Sequence, residues 1–239
     1  MKTLYTEYEN IGNAKLAFRQ NGNGNILILL HGNSESKKIY ARYQTHFFKT
    51  FHTIAIDSRG HGETVSEDSD YSIDQYSDDI IKFCACQRIE QAYVIGYSDG
   101  GNISLLLAKK APNVFKRIVA ISPNYLMSGM TDSSLRLFRL AVKVASFLNK
   151  VGILQKRAVM RLMLIFKDIG INDDELRNIK TNVCLLYAEK DMVKEDHIKH
   201  IAQLIPASRL IRIESCNHLF ILNKKETIES ISRYLNEAV

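Results

Sequence analysis

Ala92-Tyr93-Val94-Ile95-Gly96-Tyr97-Ser98-Asp99-Gly100-Gly101-Asn102-Ile103-Ser104-Leu105-Leu106-Leu107-Ala108 changes character at Ser98. The β-branched and aromatic run Ala92–Ile95 suits a buried strand, and Ile103–Ala108 is made of good helix formers. Between them, Gly96-x-Ser98-x-Gly100 has the form of a nucleophile elbow, in which glycines two residues either side of a serine leave room for a strained turn. A bare five-residue match is weak. Strand before and helix after is the context that gives it meaning, and both are present.

A serine hydroxyl is a poor nucleophile until a histidine takes its proton and a carboxylate holds that histidine, so two partners are required downstream, acid first. Asp191 follows the apolar strand Val183–Tyr187, and His218 follows the strand Arg209–Ile213. In a parallel sheet the loops at the carboxyl ends of these strands share one rim with Ser98. Glu189 and Glu214 are rival acids. His197 and His200 lie three apart on a lysine-rich helix, which reads as a solvated face more readily than a metal site. The oxyanion formed by attack needs two backbone amides. Asp99, directly after the serine, supplies one; Asn33, in the His31-Gly32-Asn33-Ser34 loop, is the best source of the other, with Ser34 behind it.

The rest of the chain fits around this rim. Leu4–Glu9 and Lys15–Arg19 read as an antiparallel edge, Ile26–Leu30 and Thr53–Ile56 as buried strands, and Tyr40–Lys49 as a helix between them. A helix over Asp74–Cys86, capped by Ser72, precedes the elbow, and the strand Arg117–Ser122 follows it. Alternation breaks between Asn124 and Lys180, where Leu135–Leu148 and Ile153–Phe166 read as two amphipathic helices. It resumes with Val183–Tyr187, a helix at Lys194–Leu204, the strand Arg209–Ile213 and a helix at Thr227–Leu235. The order argues for a mostly parallel sheet flanked by helices, with 1–123 and 181–239 as the core and 124–180 as an inserted helical lid.

With 239 residues and 46% hydrophobic content, one domain plus an insertion is expected. No basic-then-apolar leader is read in Met1–Asn21 and no apolar run could span a bilayer, so a cytoplasmic protein without stable membrane insertion is expected. The four cysteines have no metal-ligand spacing, and neither a metal nor a cofactor is expected. The net charge of +6 is uneven: Thr131–Lys167 holds eight bases and one acid, +7, which leaves the remainder at −1. Motifs of a nucleic-acid binder are not seen. The stripe Arg136, Arg139, Lys143 falls along one helix face; a solvated face is its ordinary meaning, attraction of an anionic substrate or membrane surface its sharper one.

Taken jointly, His31-Gly32, Asp57-x-Arg59-Gly60-His61-Gly62, Gly96-Tyr97-Ser98-Asp99-Gly100-Gly101, Asp191 and His218 resemble the α/β-hydrolase fold superfamily over nearly the whole chain outside Asn124–Lys180. The resemblance implies an eight-stranded sheet with a helical lid, as in small lidded esterases, enol-lactonases, cofactor-free haloperoxidases and carbon–carbon bond hydrolases. It also implies that Asp57 and Arg59 brace a loop. Ser98-Asp99-Gly100-Gly101 is similar to the elbow of valacyclovir-hydrolase-like enzymes, where the aspartate suits an amino-acid ester. The function expected is a serine hydrolase of a small carboxylic ester or related acyl compound, acting through an acyl-enzyme. A carbon–carbon bond hydrolase, lyase or haloperoxidase with the same triad is the alternative, and a ligand-binding protein on this fold is the remoter one.

Overall fold

A computed structural model describes residues 4–67 and 71–237; the outermost residues of the expected core segments, 1–3 and 238–239, lie outside it. Among the described residues nine strands form one sheet: β1 (Glu7–Asn10), β2 (Ala14–Asn21), β3 (Ile26–Leu30), β4 (His52–Ile56), β5 (Val65–Ser66), β6 (Ala92–Tyr97), β7 (Phe115–Ile121), β8 (Asn182–Lys190) and β9 (Ser208–Asn217). Eight of them run in the order β1-β2-β4-β3-β6-β7-β8-β9, and the two-residue β5 adds to the side of β2. From β4 to β9 every pairing is parallel, while β1, β2 and β5 pair antiparallel.

Parallel strands covered on both faces explain the continuous apolar runs. Ile28, Leu30, Val94 and Leu185 point into one core with Phe83 of α1 (Ile73–Cys86), Ile103 of α2 (Asp99–Lys110) and Ile198. Their neighbours Leu27, Leu29, Ile95 and Leu186 point into a second core with Tyr40, Phe48 and Ile231. Between β7 and β8 stand α3 (Asp132–Lys150), α4 (Lys156–Met163) and the short α5 (Asp173–Arg177); α6 (Glu195–Leu204) and α7 (Lys225–Asn236) complete the layers.

Two local expectations need correction. The helical stretch expected over Tyr40–Lys49 is present over 37–47 but irregular, 3₁₀ at Lys37–Tyr40 and π at Tyr43–Phe47, and it ends before Lys49. Tertiary hydrogen bonds set this backbone: the Tyr40 hydroxyl donates to the Leu30 carbonyl, the Tyr43 hydroxyl to the Leu222 carbonyl, and the Gln44 amide to the Arg19 carbonyl. The helix expected from Ile153 begins at Lys156, because Gly152 at φ +77° ends α3 and the Gly152 and Ile153 amides donate back to Asn149 and Leu148. Helix α5 is an addition, and its capping box, Asn172 with Glu175, was readable in the sequence.

Candidate active site

The elbow is held open by backbone contact. Ser98 sits at φ 54°, ψ −116°, a strained conformation for a residue with a side chain. A Cβ on Gly96 would stand 2.0 Å from the Gly100 carbonyl oxygen, and one on Gly100 would stand 2.0 Å from that of Leu30. The glycines are needed because α2 starts directly against β3 and β6. Below the turn, the Ser98 N–H donates to the Ile121 carbonyl at 2.8 Å and its carbonyl accepts from Asn102 N–H at 3.0 Å.

Strands β8 and β9 deliver the other two side chains, one residue beyond each strand end. His218 Nε2 lies 3.2 Å from Ser98 Oγ, and His218 Nδ1 lies 2.6 Å from Asp191 Oδ1. An ionised carboxylate only accepts, so Nδ1 carries the hydrogen and the Nε2 lone pair faces the serine. Asp191 is further held by Ser122 Oγ at 2.5 Å and the Ala188 N–H at 2.9 Å, both donating to Oδ2. Burial pulls its pKa up. The His218 hydrogen bond and charge, with the Ser122 and Ala188 donors, outweigh that and hold it below the ordinary carboxylate value. The rival acids are engaged elsewhere: Glu189 accepts from Ser215 N–H at 2.8 Å, and Glu214 pairs with Arg212 at 3.4 Å. His197 is not the solvated side chain expected; it stacks on Tyr125 at 4.8 Å, and burial lowers its pKa to about 4.

A pocket of about 120 Å³ opens over Ser98, lined by Asn33, Glu35, Asp99 and His218 and by the apolar Met130, Phe138, Leu162 and Ile165 from the segment between β7 and β8. The loops beneath it are cross-braced. His31 Nε2 accepts from Ser58 N–H at 3.0 Å and His61 Nε2 accepts from Ser34 N–H at 3.1 Å, so each histidine ties one loop to the other as a neutral acceptor. Burial lowers both, His61 to about 3. Asp57 accepts from Lys37 Nζ at 2.6 Å, and Arg59 grips Asp79 through two bonds of 2.9 and 2.7 Å. These contacts do the bracing that the resemblance implies for Asp57 and Arg59.

The amides around the strand-β3 loop are sorted by their acceptors. Gly32 N–H donates to Glu35 Oε2 at 3.0 Å and Ser34 N–H to His61, whereas Asn33 N–H has no protein acceptor among the described residues. Asp99 N–H stands at the first position of α2, where no carbonyl lies one turn back. Side chains join the same two residues: Asn33 Nδ2 donates to Asp99 Oδ2 at 2.9 Å and to the Arg161 carbonyl of α4 at 2.8 Å.

Residues 25–148 match the family described as the alpha/beta hydrolase fold. The chain belongs to that family. A curated relative, 2-(acetamidomethylene)succinate hydrolase of Mesorhizobium japonicum, is 30% identical over 112 residues, 47% of this chain and 40% of the relative's length. The sequence match therefore spans well under half of that protein's length. The AB hydrolase superfamily protein YisY of Bacillus subtilis is 26% identical over 88% of this chain and 91% of its own. The solved structure of E-2-(acetamidomethylene)succinate hydrolase superposes with a TM-score of 0.81 at 17% identity, covering 98% of this chain and all of that one (100%).

Three site residues of this alpha/beta hydrolase escaped the sequence reading. Ser122, which holds Asp191, follows β7 at φ 51°. Tyr97 donates its hydroxyl to the His218 carbonyl at 2.9 Å and sets its ring beside the imidazole. Glu35 lines the pocket with a carboxyl that burial raises, against the Gly32 N–H and the His218 charge. Ser122-Pro123 at a strand end was a visible signal for the first; the other two carry no pattern.

Proposed function

We propose that the chain is a serine hydrolase of a small carboxylic ester or related acyl compound, with 124–180 as a lid over the acyl pocket. Ser98 Oγ attacks the carbonyl carbon as His218 Nε2 takes its proton, and the amides of Asn33 and Asp99 hold the oxyanion. The imidazolium, steadied by Asp191, gives that proton to the departing alkoxide. Water then attacks the acyl-enzyme with His218 as base, releasing the acid and restoring Ser98. The observation that carries the reading is the chain of contacts from Ser98 through His218 to Asp191, 3.2 and 2.6 Å, at the floor of an apolar pocket. The elimination of Gly32 and Ser34 as free donors supports Asn33 as the second oxyanion amide.

Nitrophenol release from acetyl to octanoyl esters, with Ser98→Ala alongside, tests it. The variant should lose roughly 10³-fold or more of the turnover, and a fluorophosphonate should label the native chain at Ser98 alone. Equal rates from both proteins would sink the serine mechanism. An aminoacyl ester in the same panel addresses Asp99 as an ammonium partner: that role predicts a preference which falls as Asp99 is protonated near its pKa of about 6.

A further inference from the structure

Helix α3 has two apolar faces, and only one of them is covered. Leu135 and Ala145 are buried and Phe138 packs toward the core, so this side is turned to the protein. On the other side Leu137, Leu140, Val144 and Phe147 are 56, 60, 50 and 63% exposed. At about 100° per residue these four fall within about 80° of arc. Arg136, Arg139, Lys143 and Lys150 occupy the adjoining arc of about 60°. Val151 and Ile153 continue the exposed apolar line beyond the helix end. Seven of the twelve large exposed hydrophobics among the described residues lie in this one segment, counting Met163. Scattered apolar residues need no explanation, whereas a continuous stripe does.

From this we infer that the outer face of α3 is a docking surface for an anionic lipid interface. Charge selects that occupant. On this helix the basic arc holds Arg136, Arg139, Lys143 and Lys150 against Asp132 alone, so a second copy laid on the same face would set +3 against +3. An anionic headgroup layer meets the basic arc with opposite charge while Leu140 and Phe147 enter the acyl boundary, as an amphipathic helix lies in an interface. None of the helices among the described residues is long and apolar enough to cross a membrane, so α3 lies on the surface rather than through it. Phe138 lines the Ser98 pocket from the inner face of the same helix, which places a docked lipid layer about one helix diameter, ~10 Å, from that pocket. The inference does not depend on the chemistry at Ser98.

Co-sedimentation of the full chain with vesicles tests it, using phosphatidylcholine alone and phosphatidylcholine mixed with phosphatidylglycerol. Binding is expected only to the mixed vesicles. It should fall at least tenfold in Leu140→Ser/Phe147→Ser and in Arg136→Glu/Arg139→Glu/Lys143→Glu, with circular dichroism and soluble-ester turnover unchanged in both. Failure to bind the anionic vesicles would overturn the inference, as would binding that survives loss of the two apolar side chains. Gel filtration supplies the remaining outcome: a dimer that dissociates in Leu140→Ser/Phe147→Ser, without vesicle binding, would assign the face to a second copy instead.

Discussion

The loops beneath Ser98 and the helices above it meet at one pocket, yet they are secured in different ways. Beneath, the segments after β3 and β4 are locked by buried polar contacts: Lys37 with Asp57, Arg59 with Asp79, and two neutral histidines accepting backbone amides. Above, α4 has no fully buried residue and meets the floor through two polar contacts, the Arg161 guanidinium to the Gly60 carbonyl and the Asn33 amide to the Arg161 carbonyl. Under the proposed function, a rigid floor would keep hydrogen-bond donors and Ser98 in place, and a lightly held cover would part to admit a substrate. The comparison predicts that mutations below will cost stability and mutations above will cost little.

The floor is most severely tested by Arg59→Leu, which leaves the buried Asp79 carboxylate without its main partner. Denaturant unfolding should show a loss of about 3–5 kcal/mol; a cost under 1 kcal/mol would mean the floor is not secured as described. Asp99→Asn should act in the opposite direction. Burial raises the Asp99 carboxyl to about 6, against the Asn33 hydrogen bond and the His218 charge, so the folded chain holds a proton that the unfolded chain has released. This group's contribution is therefore fully present below about pH 4 and lost as pH rises through about 6. The asparagine variant, which keeps an acceptor for Asn33, should gain about 1–3 kcal/mol at pH 8 and nothing at pH 4. A gain of equal size at both values would detach it from titration.

Smaller effects are expected above the pocket. Arg161→Ala should cost about 1 kcal/mol, because it removes one bond to Gly60 while the backbone carbonyl still accepts from Asn33, and amide exchange in α4 should quicken. Unchanged exchange would remove Arg161 as the fastener of this segment. Val144→Ser, on the exposed side of α3, should leave the unfolding midpoint within the equivalent of about 0.5 kcal/mol. A large loss there would place that side chain in a packed interface.

The site residues divide the same way in how legible they are. Ser98, Asp191 and His218 announce themselves because each chemistry-bearing residue follows an apolar strand, and parallel strands send their carboxyl ends to one rim. Ser122 and Tyr97 act on Asp191 and His218 from 69 and 121 residues away in sequence, and Glu35 faces the pocket across a turn; such pairings leave no local pattern. The π winding at Tyr43–Phe47 was illegible for a related reason, since the hydrogen bonds that accompany it reach Arg19 and Leu222, far away in sequence.

By itself the sequence determined the alternation of buried strands and helices, the elbow, and the order of the three candidate triad residues, because these follow from periodicity and from strand ends that topology must bring together. Only the tertiary structure decided which amides have protein acceptors, which acid faces His218, and that α3 keeps an apolar stripe exposed. Periodicity reports that a face is apolar. Whether anything covers that face depends on what the rest of the chain packs against it.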